Sequence, residues 1–153
     1  MGRRGGRFMF DMTSVLPDPS TEFGARVARR LADEVVAWLT VVDGAGTPQP
    51  APVWFLWDGE SALVYSLAEA KRLAHLRARP RVALHLDGNG QGSDIVVLTG
   101  EIADAPDAPA VADNPAYLAK YGERITSGWG SAEAFGAQYS APLRFTPRRV
   151  RGY

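Results

Sequence analysis

The stretch "YSLAEAKRLAHLRARPRVALHLDG" (residues 65–88) joins two strand-like runs through a short basic helix. We predict that this helix spans about Glu69–Arg79. Pro80 ends it, because the residue before a proline disfavours helical backbone. Lys71, His75 and Arg79 recur every four positions and therefore share one helix face. Such a face is either a solvated surface or a site for an anion.

Three residues around the start of this helix favour the anion. Lys71 and Arg72 lie in the first turns, where backbone N–H groups and the helix dipole already favour negative charge. Cations are unfavourable there unless an anion compensates them. Ser66, at the end of the preceding strand, can add a hydroxyl. Leu73 and Leu76 are predicted to pack inward. Spacing alone leaves both alternatives open.

The flanking sequence predicts a mainly β, α+β domain. Strands grouped as hairpins disfavour a parallel doubly wound sheet, and about six antiparallel strands suggest a small barrel. The first three strands form an antiparallel meander in this prediction, and the first of them is buried on both faces. A helix capped by Ser20 precedes them, and helical pieces broken at Gly122 and Gly128–Gly130 fill residues 111–138. The predicted strands are Val35–Gly44, Ala51–Gly59, Glu60–Leu67, Arg81–Gly88, Asp94–Asp104 and Pro142–Tyr153.

Composition excludes several classes of protein. The 153 residues suit one domain, and 17 basic against 17 acidic residues leave no surplus charge for bulk nucleic-acid binding. The sequence has no cysteine, which removes disulfides and thiolate chemistry. No signal peptide or membrane-length apolar run is visible, so we expect a cytoplasmic protein. Residues 1–14 are expected to be a disordered tail, and residues 15–153 a single domain.

Motifs for several other chemistries are missing. The loop "DGNGQGS" (residues 87–93) lacks the spacing of a dinucleotide or P-loop fingerprint and predicts a plain hairpin loop. His75 and His85 are the only histidines, and neither has a carboxylate at ligand spacing. The sequence therefore predicts no metal site, and it identifies no catalytic side chain.

The strand "PVWFLWDG" (residues 52–59) is the most informative aromatic segment. Pro50 and Pro52 lack N–H donors, which predicts a strand at an edge or beside a cleft. Trp54 and Trp57 fall on opposite faces of a strand. They are either core or dimer-interface aromatics, or an apolar wall against which a planar ring can lie.

The central stretch resembles the pyridoxamine-phosphate-oxidase-like split β-barrel family. The residues that carry the resemblance are Lys71, Leu76, Pro80, Arg81 and Val82, after a strand ending in Tyr-Ser. The tail "DNPAYLAKYGERITSGWGSAEAFGAQYSAPLRFTPRRVRGY" (residues 113–153) is similar to the subgroup assigned to the deazaflavin coenzyme F420. Together the resemblance covers about residues 18–153.

The resemblance implies a six-stranded antiparallel split β-barrel of the FMN-binding type, with peripheral helices. It also implies a homodimer with cofactor clefts between protomers, and an F420-dependent reductase that transfers hydride to a small unsaturated or quinone-like substrate. Positions Pro52, Val53, Trp54 and Phe55 would lie along the cofactor ring. Tyr65, Ser66, Lys71 and Arg72 would face its ribityl-phosphate side, and Trp129 would contribute to the pocket.

One departure bears on the choice of cofactor. Members of the family that use FMN usually carry an arginine or lysine in the strand matching Val53–Leu56, which grips the phosphate. That segment is apolar and aromatic in this sequence, so the resemblance disfavours FMN. An FMN-binding oxidoreductase and a non-catalytic module for a cofactor or haem remain the alternatives.

Overall fold

The computed structural model describes residues 15–153, which form one seven-stranded, fully antiparallel sheet with helices outside it. The order of strands across the sheet is β2-β1-β5-β6-β7-β4-β3. The predicted antiparallel split β-barrel is confirmed, with one more strand than expected. The strands are β1 (Val36–Val42), β2 (Pro48–Trp54), β3 (Leu56–Trp57), β4 (Ala62–Ser66), β5 (Arg81–His85), β6 (Val96–Asp104) and β7 (Ala141–Gly152).

The extra strand arises at Phe55. Strands β2 and β3 lie at opposite ends of the sheet, yet only Phe55 separates them along the chain. The sheet must therefore curl until its two edges meet at this residue. The predicted strand Ala51–Gly59 is thus two strands, and the predicted three-strand meander is wrong. It is two hairpins, β1–β2 and β3–β4, at opposite edges of the sheet.

The helices are α1 (Glu22–Asp33), α2 (Arg72–Ala78), α3 (Pro115–Trp129) and α4 (Ala132–Gln138), with a 3₁₀ turn at Val111–Asp113. Two hydrophobic cores result. The larger fills the barrel and includes Leu31, Phe55, Leu76 and Phe145. The smaller lies where α3 and α4 pack on the outer side of β4, so β4 is buried along its whole length.

Strand β1 alternates between buried and half-buried residues. Ala37, Leu39 and Val41 face the barrel interior, whereas Trp38 and Thr40 lie on the outer face. The prediction that β1 is buried on both faces is therefore wrong, because neither hydrophobic core formed by residues 15–153 covers its outer side.

Helix boundaries also differ from the prediction, and α2 begins at Arg72 rather than at Glu69. Thr21, not Ser20, caps α1, since its hydroxyl accepts a hydrogen bond from the Gly24 N–H at 3.0 Å. Helix α3 continues unbroken through Gly122 and ends at Gly130, whose φ of 86° suits glycine. Packing of one side of α3 on β4 offsets the weak helix propensity of its glycines.

Among residues 15–153, no helix has the length and apolar character needed to cross a membrane. The predicted disordered tail, residues 1–14, lies outside the described residues.

Candidate active site

A cavity of about 240 Å³ opens between the end of β2, strand β4 and the three helices α2, α3 and α4. Its walls are mostly aromatic, and the cation Arg72 reaches it. The lining residues are Pro52, Val53, Trp54, Tyr65, Arg72, Tyr117, Trp129, Phe135 and Tyr139. We call it the aromatic cavity.

Contacts between rings fix the walls of the aromatic cavity. The Trp54 ring stacks on Tyr121, with centroids 4.7 Å apart and planes within 7°. Its other neighbours are Phe135, at 5.6 Å and 19°, and the edge of Trp129, at 5.9 Å. Phe135 in turn stacks on Tyr139 at 4.4 Å. Such a network holds its rings in place, because offset-stacked and edge-to-face pairs add to the energy of burial.

Arg72 is the cation of the aromatic cavity. Its Nε donates a long hydrogen bond, 3.3 Å, to the hydroxyl of Ser66, which is itself fully buried. Within residues 15–153, no carboxylate lies within ion-pair distance of Arg72. Burial lowers the pKa of its guanidinium. A half-buried cation without a counter-ion is destabilising, so an anionic ligand would be favoured here.

A second cavity of about 350 Å³ lies on the other side of Arg72. Lys71 and His75 line it together with Gln49 and Pro50, above the inner residues of β1. We call it the basic cavity. Because Arg72 lines both cavities, a ligand with a ring in one and an anionic group in the other could contact the same guanidinium.

The edge of the sheet beside both cavities offers acceptors rather than donors. Pro48, Pro50 and Pro52 alternate along β2 and face Val42, Thr40 and Trp38 of β1 in register. Alternate residues of an antiparallel strand direct their N and C=O to the same side. The prolines lack N–H groups, so they must be the outward positions, and the sheet edge presents their carbonyl oxygens. The predicted edge position of this strand agrees with the strand order.

Six of the nine predicted site residues line the aromatic cavity: Pro52, Val53, Trp54, Tyr65, Arg72 and Trp129. The other three lie around it. Phe55 is fully buried with its side chain in the barrel core, Ser66 holds Arg72, and Lys71 is exposed and lines the basic cavity. Lys71 also stands one residue before α2 begins, rather than within its first turn.

Sequence reasoning missed the aromatic residues contributed by α3 and α4. Tyr117, Phe135 and Tyr139 line the aromatic cavity, and Tyr121 supports Trp54 from behind. The signal was present as two aromatic pairs at i, i+4 spacing, Tyr117 with Tyr121 and Phe135 with Tyr139. That spacing is also typical of an ordinary helix core, so the pattern alone could not assign these rings to a cavity.

Two neighbouring residues of α3 hold the chain where β2 becomes β3. The Tyr121 hydroxyl accepts a hydrogen bond from the Phe55 N–H at 2.9 Å and lies 2.8 Å from the Val35 carbonyl oxygen. Lys120 donates to the Phe55 carbonyl at 2.8 Å, with its ammonium 4.1 Å from the Phe55 ring centroid. Burial lowers the pKa of Lys120 to about 8 and raises the pKa of Tyr121 to about 12.

An antiparallel sheet that closes through one residue, with helices packed outside β4, places the chain among split β-barrel proteins of the α+β class. The family model described as pyridoxamine 5'-phosphate oxidase matches residues 23–153. The chain belongs to this family, as its central motif predicted. A search of curated proteins finds no match to the sequence.

Solved structures share the fold at low identity. A conserved hypothetical protein from Mycobacterium tuberculosis is 18% identical, with a TM-score of 0.65 over 90% of this chain and 86% of its own. An F420 reductase is 20% identical, with a TM-score of 0.61 over 80% and 94%. HutZ, the heme storage protein from Vibrio cholerae, is 11% identical, with a TM-score of 0.60 over 86% and 95%. At these identities the likeness shows the fold alone.

Proposed function

We propose that the protein is an F420-dependent oxidoreductase that reduces a small unsaturated or quinone-like substrate. The observation that carries the proposal is the pair of cavities on either side of Arg72, one aromatic and one basic. A deazaflavin cofactor has the matching parts, a flat ring system and a phosphate-bearing chain.

The aromatic cavity fits a ring rather than a whole cofactor. Its volume of about 240 Å³ lies just below the roughly 300–1,000 Å³ of typical ligand pockets. The basic cavity adds about 350 Å³ next to it, which gives the remaining chain a place. The pocket wall around Trp54 is already braced by its aromatic neighbours, so little ordering would be needed when a ring binds.

The basic cavity, together with Arg72, suits an anion. Arg72 has no carboxylate partner within the described residues, and Lys71 and His75 line the same basic cavity. A guanidinium offers planar, paired donors to phosphate, and Ser66 fixes its orientation through Nε. The exposed ammonium of Lys71 would add a second charge without being buried itself.

When bound, a reduced deazaflavin supplies the hydride, and the chain has only to bind, orient and exclude water. The absence of a sequence motif for a catalytic side chain is compatible with that division of labour. The apolar segment Val53–Leu56 supports F420 over FMN, because it lacks the basic residue by which FMN-using members grip the phosphate. The shared fold with an F420 reductase adds support of a weaker kind.

We further propose that two copies of the chain form a homodimer through the outer face of β1, β5 and β6. Trp38, Val42, Ala83 and Val97 on that face are half-buried and belong to neither core of the described chain. A second copy is the simplest cover for a sheet face of this kind, since exposed apolar patches usually mark an interface.

The alternative is a binding protein without hydride transfer, which the shared fold with a heme storage protein supports. Flavin or haem retained by the purified protein, without reduction of an acceptor, would favour it. Transfer of hydride from reduced F420 to menadione, a quinone, would favour the oxidoreductase.

The decisive experiment measures binding of F420 and of FMN side by side, by quenching of tryptophan or deazaflavin fluorescence. We expect tighter binding of F420, and a loss of roughly 10- to 150-fold in affinity on Arg72→Met or Lys71→Ala, as for one charge-assisted hydrogen bond. Arg77→Ala is the matched control. It removes a charge from the same helix, but Arg77 pairs with Asp104 at 2.9 Å and lines neither cavity. Equal affinity in all three variants would overturn the proposed anion site.

A further inference from the structure

Tyr117 is a buried residue with a free hydroxyl at the aromatic cavity. Its side chain is only 1% exposed, and it lines that cavity. Among residues 15–153, no hydrogen bond joins its hydroxyl to another group. In the same part of the chain, no fully buried side-chain N or O atom lacks a hydrogen-bond partner. The hydroxyl therefore retains a small exposed area, and we assign that area to the cavity that Tyr117 lines.

The two neighbouring tyrosines differ from Tyr117 in this respect. Tyr65 donates to the Pro109 carbonyl at 2.6 Å and accepts from the Asn114 amide at 3.0 Å. Tyr121 makes the hydrogen bonds at Phe55 described above. Of these three clustered phenols, Tyr117 alone has a hydroxyl without a hydrogen-bond partner among residues 15–153.

Tyr117 has little freedom to turn its hydroxyl elsewhere. Its ring meets the Tyr65 ring edge to face, with centroids 4.8 Å apart, and lies 4.9 Å from Tyr121. Phe135 is 6.5 Å away on another side. The backbone is fixed as well, since the Asn114 side chain caps α3 by accepting from the Tyr117 N–H.

Burial, with smaller contributions from nearby tyrosines, raises the pKa of Tyr117 far above its ordinary value. The group is therefore a neutral phenol at any physiological pH. A neutral phenol can donate one hydrogen bond without adding charge, whereas the Arg72 guanidinium in the same cavity is a cation.

We propose that the Tyr117 hydroxyl is a specificity-determining donor, which selects rings that carry a carbonyl-type acceptor over purely hydrocarbon rings. The inference deepens the proposed function, because it concerns the ring that occupies the same aromatic cavity. A buried hydroxyl left unpaired is costly, so an occupant without an acceptor is penalised relative to one that pairs with it.

The first test compares Tyr117→Phe with Tyr121→Phe in the absence of ligand. Removing an unpaired hydroxyl should leave the melting temperature of Tyr117→Phe equal to or above that of the wild type. Tyr121→Phe, which loses paired hydrogen bonds, should melt lower. A melting temperature of Tyr117→Phe lowered as much as that of Tyr121→Phe would show a structural hydroxyl and overturn the proposal.

The second test uses two probes of the same ring size, 1,4-naphthoquinone and naphthalene, and the chain has no cysteine to react with a quinone. The wild type should bind the quinone more tightly, and Tyr117→Phe should lose roughly 2- to 12-fold in quinone affinity, as for one neutral hydrogen bond, with naphthalene affinity unchanged. Binding of neither probe, or the same preference in both proteins, would overturn the inference.

F420 titration separates this inference from the proposed function. Equal F420 affinity of wild type and Tyr117→Phe would reject the role of Tyr117 and leave the proposed function standing. A quinone preference that depends on Tyr117, in a protein that binds no F420, would reject the proposed cofactor and retain the donor.

Discussion

The hydroxyl oxygen of Tyr121 lies 2.9 Å from both the N and the carbonyl O of Phe55, the residue at which the two edges of the sheet meet. Phe55 interrupts the strand because its backbone pairs with a side chain from α3 instead of a neighbouring strand. A single phenol thus joins barrel closure to the helix that walls the aromatic cavity. Trp54 stacks on the same tyrosine, so the junction also positions its ring.

The Tyr121 hydroxyl should contribute measurably to stability. Tyr121→Phe keeps the ring stacked on Trp54 but leaves the buried Phe55 N–H unpaired. We expect the free energy of unfolding to fall by about 1–3 kcal/mol, the cost of an unsatisfied buried group. Urea unfolding followed by circular dichroism measures it. A loss below about 0.5 kcal/mol would mean that the two edges of the sheet meet at Phe55 without a contribution from the hydroxyl.

Lys120 should make stability depend on alkaline pH. Burial lowers its folded pKa to about 8, below the ordinary lysine pKa of 10.5, while Asp33 and Glu34 oppose the shift. The unfolded chain therefore binds more protons than the folded chain between these values, so stability rises with pH in that window. Equivalently, this contribution is lost as pH falls through the folded pKa.

Urea unfolding of wild type and Lys120→Met at pH 7, 8 and 9.5 checks this prediction. The free energy of unfolding of the variant should rise less across the interval, because the variant has no ammonium to neutralise. Unfolded tyrosines, with a pKa of about 10, begin to ionise at the top of this interval and oppose the trend, since burial raises the folded pKa of Tyr121 to about 12. Both proteins share this effect, so it cancels in their comparison. Parallel slopes for both proteins would contradict the assignment to Lys120.

Gly100 and Gly122 should respond oppositely to alanine. A Cβ at Gly100 would lie 2.1 Å from the Thr146 carbonyl oxygen and 2.8 Å from the Pro147 Cα, at the bulge between β6 and β7. We expect a loss of about 3 kcal/mol or more in Gly100→Ala, since rigid backbone must move.

A Cβ at Gly122, within α3, would meet nothing within 4 Å. Gly122→Ala should therefore stabilise the protein by about 0.5–1 kcal/mol through helix propensity. Chemical denaturation of both variants gives the comparison. A destabilised Gly122→Ala would show that the helix is not continuous at this position.

The proposed homodimer predicts an effect of charge at the centre of the outer face. Ala83→Arg introduces a cation on β5, the middle strand of that face, and should convert a dimer to a monomer in light scattering after size exclusion. Glu60→Arg, in the exposed β3–β4 turn, adds a cation at a site outside the proposed interface. A wild-type protein that is already monomeric at micromolar concentration would reject the interface.

Residues that act locally could be predicted well from the sequence. The prolines of β2 fixed it as an edge, Pro80 ended α2, and Leu73 and Leu76 are buried in the core as expected. Single residues predicted the local structure less well where tertiary contacts oppose their conformational preference. Gly122 indicated a helix break, yet packing against β4 carries α3 through it.

The aromatic cavity shows the same limit. Trp54 and Arg72 were candidates from the strand and the basic helix, and a family resemblance brought them together. Tyr117 and Phe135 read equally well as core residues, because i, i+4 aromatic spacing does not tell which side of a helix meets a cavity. Nor does it tell which of several phenols lacks a partner.

The sequence by itself determined the antiparallel α+β class, the family, the edge strand and the basic helix, since proline geometry, alternation and short-range spacing act within a few residues. Only the tertiary structure decided that the sheet closes at Phe55, that Arg72 stands between two cavities, and that Tyr117 lines one of them. These depend on contacts between residues far apart along the chain, such as the hydrogen bonds of Tyr121 to Phe55 and Val35, which span 66 and 86 positions. Such contacts are set by how the helices pack on the curled sheet, which no local pattern encodes.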